Sequence, residues 1–326
     1  MCVTGGAGFI GGHLIEALGE LGCTVVVIDD LSNNDGRHVC RFIDEHARTA
    51  RFVYGSILDW RALRDAMAGA EFVFHLAAVN SVSRSIDDPE RAFEVNAMGT
   101  VRVAEAARKA GVTRLVYAAS SSAYGDDPGL PKVESALPRP ISPYGASKLA
   151  GESVVAAWSR SFGLSGVSLR LFNVFGPRQA AGGPYAAVIP AFIGALLKGD
   201  RPEIFGDGSA SRDFTPVACA VRAFLLAGAA KDLPPGAVIN IGGGRRTTIL
   251  DLARQLAGHT DRPRIEPRLV AARAGDVAHS LADLTLARSL IGYEPHVSFE
   301  EGLSRTVRWF TEEADRMSRE PATPSA

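Results

Sequence analysis

Apolar positions along this chain follow two alternating rhythms. Short unbroken apolar runs occupy residues 1–4, 24–28, 51–54, 72–76, 115–119 and 166–171. Runs of that length and texture suit strands buried on both faces of a parallel sheet. Between them the spacing changes to that of helices. Leu14, Ile15, Leu18 and Leu21 form one stripe, and Trp60, Leu63 and Met67 another within 59–68. Phe93, Val95, Val101, Val103 and Ala107 mark a long helix over 91–110, and an alanine-rich helix covers 149–158. Strand and helix in strict alternation predict an α/β fold, a doubly wound parallel sheet. The first strand is a stub: either its true start lies upstream or it leans on its neighbours.

Beyond Leu171 the pattern loosens. Residues 172–185 are rich in Gly and Pro, and 186–197 read as an apolar helix with Pro190 in its first turns. A strand and tight turn cover 204–208, and a short strand at 238–241 ends in Gly242, Gly243 and Gly244. Helices are predicted at 249–256 and 283–291, and residues 306–310 close the last one. Residues 311–326 are polar, carry two prolines, and are expected to fray as a flexible tail. Two units follow, 1–170 and a smaller α/β lobe over 171–310. No free linker separates them, so the lobes are expected to interleave, with segments of the second returning to the first.

Composition narrows the function classes. The chain has 326 residues, 46% of them hydrophobic, ample for a large core. Its net charge of -1 provides no global field for nucleic acid or an anionic membrane. An anionic ligand must be held by local groups. The four cysteines (Cys2, Cys23, Cys40 and Cys219) are scattered, which suits free thiols in a reducing cytoplasm. The seven histidines form no metal-binding spacing, so no metal is expected. No apolar run spans a bilayer, and the chain enters a glycine loop by Gly5 without a signal peptide. His75 reads as a packed core histidine.

Three stretches carry chemistry. In the first, Gly5, Gly8, Phe9, Ile10 and Gly11 stand between the first strand and the first helix. The next strand ends in Asp29 and Asp30, the former 18 residues after Gly11. This is the layout of a dinucleotide site: glycines admit the pyrophosphate, the helix start faces its charge, and the acid grips the adenosine ribose. An acid there favours NAD over NADP. In the second, Ser120, Ser121 and Ser122 follow a strand directly, where open sheets bind ligands. In the third, Tyr144 and Lys148 lie four apart at the head of a helix and share its face. Such pairs are common on ordinary helices. Beside a nicotinamide they acquire a purpose. The lysine charge is expected to lower the phenol's pKa, so that Tyr144 exchanges a proton with a substrate hydroxyl while hydride moves.

Taken together, the motifs around Gly5–Gly11, Ser120–Gly125 and Ser142–Lys148, with Arg170–Pro177 and Ser211–Phe214, resemble the extended short-chain dehydrogenases/reductases. The resemblance covers the whole chain up to the tail and lies with the NAD-dependent epimerase/dehydratase group. Within it the chain is most similar to UDP-N-acetylglucosamine 4-epimerases of bacterial surface-polysaccharide pathways, on the stretches 125–132, 185–190 and 275–283. It implies a Rossmann-type NAD-binding domain over 1–170, a nucleotide-sugar lobe over 171–310, and a homodimer through the helices at 91–110 and 144–158. The implied catalytic residues are Ser120, Tyr144 and Lys148. Related 4,6-dehydratases carry an Asp-Glu pair where this chain has Ser121 and Ser122, and hydroxyls cannot serve as acid and base for elimination.

The same resemblance implies further cofactor contacts: Leu31, Ser32, Asn33 and Asn34 after the acids, then Ser56 and Ile57, Leu76, Ala77 and Ala78, and Asn96 and Phe172. Ser56 is a departure, because relatives usually place Asp there to accept from the adenine amino group. For the UDP-sugar it implies Asn173, the backbone of Ala187 and Val188, Phe205 by the uracil, Arg212 and Arg273 on the diphosphate, and Asp276 on the ribose. Asn80 and Arg84 are candidate sugar contacts. Ser280 is small where a bulky tyrosine would crowd the C2 substituent, which implies acceptance of UDP-GlcNAc and UDP-GalNAc. Cys219 departs from an acid common after Val217. The expected activity is C4 epimerisation of a UDP-hexose. The alternatives are UDP-glucose/galactose or UDP-uronic acid epimerisation, a net NAD-dependent sugar-nucleotide reductase or dehydrogenase, or a nucleotide-binding module without chemistry.

Overall fold

Each of the six apolar runs in the first 171 residues becomes a strand of one sheet. The structure, a computed structural model, describes residues 1–181, 186–271 and 277–319. The strands are β1 (Cys2–Thr4), β2 (Val25–Asp29), β3 (Ala50–Tyr54), β4 (Phe72–His75), β5 (Arg114–Ser120) and β6 (Ser165–Leu171). β1 is short but central: Val3 pairs with Val27 on one side and Phe74 on the other. The helices are α1 (Phe9–Glu20), α2 (Arg37–Glu45), α3 (Trp60–Met67), α4 (Val82–Asp87), α5 (Pro89–Phe93), α6 (Gly99–Lys109) and α7 (Pro143–Phe162). A π turn at Glu94–Met98 joins α5 to α6, so the helix predicted over 91–110 is one path with a changed pitch in its middle.

Local chemistry sets the helix boundaries. Asp59 caps α3, Ser81 caps α4, Asp88 caps α5 and Ser142 caps α7, each accepting a backbone N–H. Pro143 begins α7, and Gly163 ends it in the left-handed region at φ 71.

After β6 the chain builds the second lobe. Its elements are β7 (Val174–Phe175), α8 (Val188–Lys198), β8 (Glu203–Phe205), β9 (Ser211–Asp213), β10 (Thr215–Pro216) and α9 (Val217–Ala229). β11 (Ala237–Ile241) then returns to the first sheet, parallel to β6. β12 (Arg246–Thr248), α10 (Ile249–His259), β13 (Arg268–Val270), α11 (Thr285–Ile291) and α12 (Phe299–Arg319) complete the chain. The sheet order is β11-β6-β5-β4-β1-β2-β3, all parallel. This is a Rossmann-type doubly wound sheet extended by one strand.

Successive strand residues point to opposite faces. Val3 and Phe74 join Leu14, Ile15 and Phe224 in the core under α1 and α9. Cys2 and Val73 join Leu63, Val103 and Val155 in the core under α3, α6 and α7. A third core, built on Phe175, Phe214, Phe299, Ile193 and Leu252, holds the second lobe together.

Two sequence expectations change. The helix α9 is not foreseen in the pattern. It is apolar on nearly every side because it packs between α1 and the sheet, and its Cys219 is fully buried. The last helix does not stop at Phe310: α12 runs to Arg319, so residues 311–319 are helix and not tail. Ion pairs Arg305–Glu301 and Arg316–Glu313 stitch its turns.

Candidate active site

A cleft of about 680 Å³ opens at the carboxyl ends of the sheet strands. The glycine loop, the end of β2, the strand ends of β4 and β5, and the start of α7 all contribute to its wall. At one end lies the glycine loop. Gly11 is obligatory: a Cβ there would stand 2.1 Å from the carbonyl oxygen of Gly5. The first turn of α1 has neither a side-chain cap nor an acidic residue, so its amides are left to meet an anion.

Asp29 accepts N–H bonds from Ala7 at 3.0 Å and Leu31 at 2.9 Å. Burial pushes its carboxyl pKa up, and the two amide bonds oppose that shift. The carboxylate thus braces the glycine loop while remaining on the cleft wall. A cradle closed to any Cβ, open helix amides and an acid at the second strand fit NAD. Ser56 accepts from Leu58 at 3.3 Å, which leaves its O–H as a donor on the cleft wall.

A buried polar relay lies beneath the loop. Thr100 donates to the Asn96 carbonyl at 2.6 Å, so it must accept from Nε2–H of His75 at 3.0 Å. Nδ1 of His75 then accepts from the Thr4 hydroxyl at 2.7 Å, and Thr4 accepts from Ala77 N–H at 3.2 Å. Burial, with Lys148 nearby, lowers the His75 pKa to about 3. His75 is therefore a neutral core spacer that fixes the strand-end loop, as its apolar setting predicted.

Tyr144 is tied at both ends of its peptide unit. Its N–H donates to Ser85 Oγ at 2.9 Å, and its carbonyl accepts from Ser147 Oγ at 2.9 Å. Ser147 in turn accepts from Asn96 Nδ2 at 2.9 Å. The next residue permits a close approach: a Cβ on Gly145 would lie 2.7 Å from the Ser122 carbonyl. The head of α7 therefore packs on the serine turn, and Tyr144 reaches the Ser120 hydroxyl. Ser120 itself ends β5 and accepts Ser122 N–H at 3.1 Å.

The expected effect of Lys148 on Tyr144 is not the one this geometry produces. Burial pushes the Tyr144 phenol up, and only its hydrogen bond with Ser120 pulls it back. The Lys148 ammonium instead sits 4.3 Å from the centre of the Tyr117 ring, and burial lowers its pKa to about 7. Tyr117 donates to the Lys148 carbonyl at 3.3 Å, so one aromatic supports both the backbone and the charge. A cationic ligand ring in the cleft would supply the missing positive field next to Tyr144.

One helical turn below Lys148, Glu152 is held by Arg170 of β6. Nε and Nη2 of Arg170 donate to the two carboxylate oxygens at 2.9 and 2.7 Å, and both side chains are buried. The guanidinium also lies 4.6 Å from the Tyr124 ring centre. Tyr144, Lys148 and Glu152 thus occupy one face of α7, two turned to the cleft and one anchored to the sheet.

Most of the sequence-assigned cofactor residues meet in this cleft. Gly5, Gly8, Phe9, Ile10, Gly11, Asp29, Asp30, Ser32, Asn33, Asn34, Ser56, Ile57, Leu76, Ala77 and Ala78 line it, with Ser120, Ser121, Ser122, Tyr144 and Lys148. On the sugar side, Asn80, Arg84 and Asn173 do so too. Arg84 donates to Asn33 Oδ1, bridging two segments of the wall.

Others stand back. Asn96 is fully engaged inside the protein: it takes Val79 N–H at 2.8 Å and gives its amide hydrogens to Val79 O and Ser147 Oγ. It clamps the strand-end loop to α7 and is not a wall residue. Phe172 is wholly buried against Tyr124, and Leu31 turns its side chain toward Gly36. Ala187, Val188, Phe205, Arg212 and Ser280 lie outside the cleft wall, on the second lobe. Arg273 and Asp276 fall outside the described residues.

Gln179 was not foreseen. It lines the cleft and donates to Val174 O at 3.1 Å. The turn that carries it is anchored by Arg178, which makes a bidentate pair with Glu16 of α1 at 2.6 Å and bonds His13 Nδ1 at 2.7 Å. Two polar residues, Arg178 and Gln179, between Gly176-Pro177 and Ala180-Ala181 were the available signal.

Comparison with known proteins agrees with this geometry. The profile of the NAD dependent epimerase/dehydratase family matches residues 1–242. The UDP-glucose 4-epimerase of Mycolicibacterium smegmatis is 40% identical over 94% of this chain and 97% of its own length. Among solved structures, the UDP-glucose 4-epimerase of Thermotoga maritima, determined with UDP-glucose, superposes with a TM-score of 0.90 at 38% identity. That match covers 96% of this chain and 99% of the other. The UDP-N-acetylglucosamine 4-epimerase of Methanobrevibacter ruminantium M1, in complex with UDP-N-acetylmuramic acid, gives 0.89 at 35% identity, over 96% and 98% of the two chains. With a family profile that matches most of its length and a relative 40% identical across nearly the whole of both chains, this chain belongs to the NAD-dependent epimerase/dehydratase family.

Proposed function

We propose that this enzyme epimerises a UDP-hexose at C4, with UDP-GlcNAc and UDP-GalNAc as the favoured pair. One observation supports the reaction type above the others. The strand end facing Tyr144 offers only hydroxyls, from Ser120, Ser121 and Ser122. Tyr144 can take and return one proton there, but the turn lacks the carboxyl pair that elimination of water would need.

When bound, NAD+ accepts hydride from a carbinol carbon and gives it back. The chain's own part is to hold and move a proton. Tyr144 receives the proton of the 4-hydroxyl and returns it to the oxygen of the epimer. Ser120, bonded to Tyr144, donates to the reacting oxygen while it has carbonyl character. Lys148, perched on Tyr117, places a titratable cation in the same cleft. The open amides of the glycine loop and the first turn of α1 would hold the diphosphate of the cofactor.

Ser280 supports the N-acetyl preference: it is small and lies against Asn173 of the wall, with Asn173 Nδ2 donating to its Oγ at 3.3 Å. The second reading is the UDP-glucose/UDP-galactose pair, favoured by the name of the 40% identical relative. Incubation with each UDP-hexose, followed by proton NMR, separates the two. The proposal expects UDP-GlcNAc to give UDP-GalNAc fastest. Faster conversion of UDP-glucose would establish the second reading, and no C4 epimer from any UDP-hexose would refute both.

A further inference from the structure

Asp213 belongs to the Ser211–Phe214 motif, yet the chemistry above leaves it without a task. It is completely buried at the end of β9. Its Oδ1 accepts Gly243 N–H at 2.7 Å, and its Oδ2 accepts Gly244 N–H at 3.1 Å and Ala282 N–H at 3.0 Å. One carboxylate therefore joins the glycine end of β11 to the segment that carries Ser280. The glycines are shaped for it: a Cβ on Gly242 would lie 2.7 Å from Oδ2. Its main chain reaches the cleft wall, because the Asp213 carbonyl accepts from Asn173 Nδ2 at 3.1 Å.

Asn173 has a second donor, which goes to Ser280 Oγ at 3.3 Å. Both of its amide hydrogens are then spent inside the protein. Turning the amide over would set its oxygen against the Asp213 carbonyl, acceptor against acceptor. Its Oδ1 is bonded to no described residue and is not shut away from the cleft it lines.

We propose that Asp213 is the positioning residue of the sugar-side wall, and that it holds Asn173 as a fixed hydrogen-bond acceptor for a donor on the nucleotide sugar. The donor is the N–H of a C2 acylamino group or a hexose hydroxyl. This deepens the proposed function and rests on a UDP-hexose being the ligand.

In Asp213→Asn one acceptor becomes a donor aimed at backbone N–H groups, and the Gly243, Gly244 and Ala282 amides compete for the remaining oxygen. Calorimetric titration of the full chain with UDP-GlcNAc, UDP-glucose, UDP and NAD+ reads the result. UDP-hexose affinity should fall roughly tenfold and KM rise equally, with UDP and NAD+ affinity within about twofold and kcat within about threefold of wild type. A loss confined to UDP-GlcNAc identifies the acylamino N–H, and a loss shared with UDP-glucose identifies a hydroxyl. Should Asp213→Asn fail to fold, Asn173→Asp at the wall serves instead. It keeps an acceptor but loses both donors that orient it, so the same loss is expected. Unchanged UDP-hexose affinity overturns the inference, as do equal losses for UDP and NAD+. If the wild type binds UDP-hexoses but forms no C4 epimer, the proposed reaction falls, while these affinities still decide the role of Asp213.

Discussion

Tyr144→Phe should lower kcat for UDP-hexose epimerisation by about 10³-fold, the scale of a lost general acid–base group. The phenol oxygen reaches Ser120 from the helix face that also carries Lys148. The backbone of Tyr144 is held by Ser85 and Ser147, independently of the phenol oxygen. Thermal stability and NAD binding should therefore match the wild type. Steady-state assay with each UDP-hexose, beside calorimetric NAD+ titration, checks both halves. A variant within tenfold of wild type would remove Tyr144 from the reaction.

The second large effect concerns stability. Arg170→Met leaves the Glu152 carboxylate buried and unpaired one turn below Lys148. Removing one partner of a buried pair costs about 3–5 kcal/mol, whereas replacing both is far milder. Urea unfolding of the dinucleotide-free protein should show that loss for Arg170→Met. The double variant Glu152→Gln/Arg170→Met should regain more than half of it. If the double variant is as unstable as the single one, the packing of Arg170 on Tyr124 is what matters, and its charge is not. Lower kcat in Arg170→Met is also expected, since Glu152 fixes the register of the face that carries Tyr144 and Lys148.

Much of this was legible in the chain because local rules and the global fold point the same way. The buried strands of a parallel sheet are uninterrupted apolar runs, so β2 through β6 stood out. The glycine loop was legible because Gly11 tolerates no Cβ, and the Tyr144–Lys148 face because four residues make about one helical turn. The unforeseen features are tertiary. The helix α9 is buried on most sides, which removes the amphipathic period that marks a helix at a surface. The place of β11 at the edge of the sheet follows from packing and from no signal of its own. The internal bonds of Asn96 and the packing of Phe172 on Tyr124 are likewise tertiary, with no local pattern to report them. Lys148 rests on Tyr117, an aromatic 31 positions away in the chain, and no spacing rule reports that contact. Asp213 stood in the Ser211–Phe214 motif without a role of its own, and the three amides around its carboxylate reveal what it holds.

The central claim is that a hydride leaves C4 and returns to the same carbon, while the proton of its hydroxyl passes to Tyr144 and back to the oxygen, within a closed site. UDP-GlcNAc deuterated at C4 tests it most directly. Incubated with the enzyme as purified, it should give UDP-GalNAc with deuterium retained at C4, without reduced dinucleotide appearing in solution. Loss of the label to solvent, or its accumulation in free reduced dinucleotide, would contradict the account.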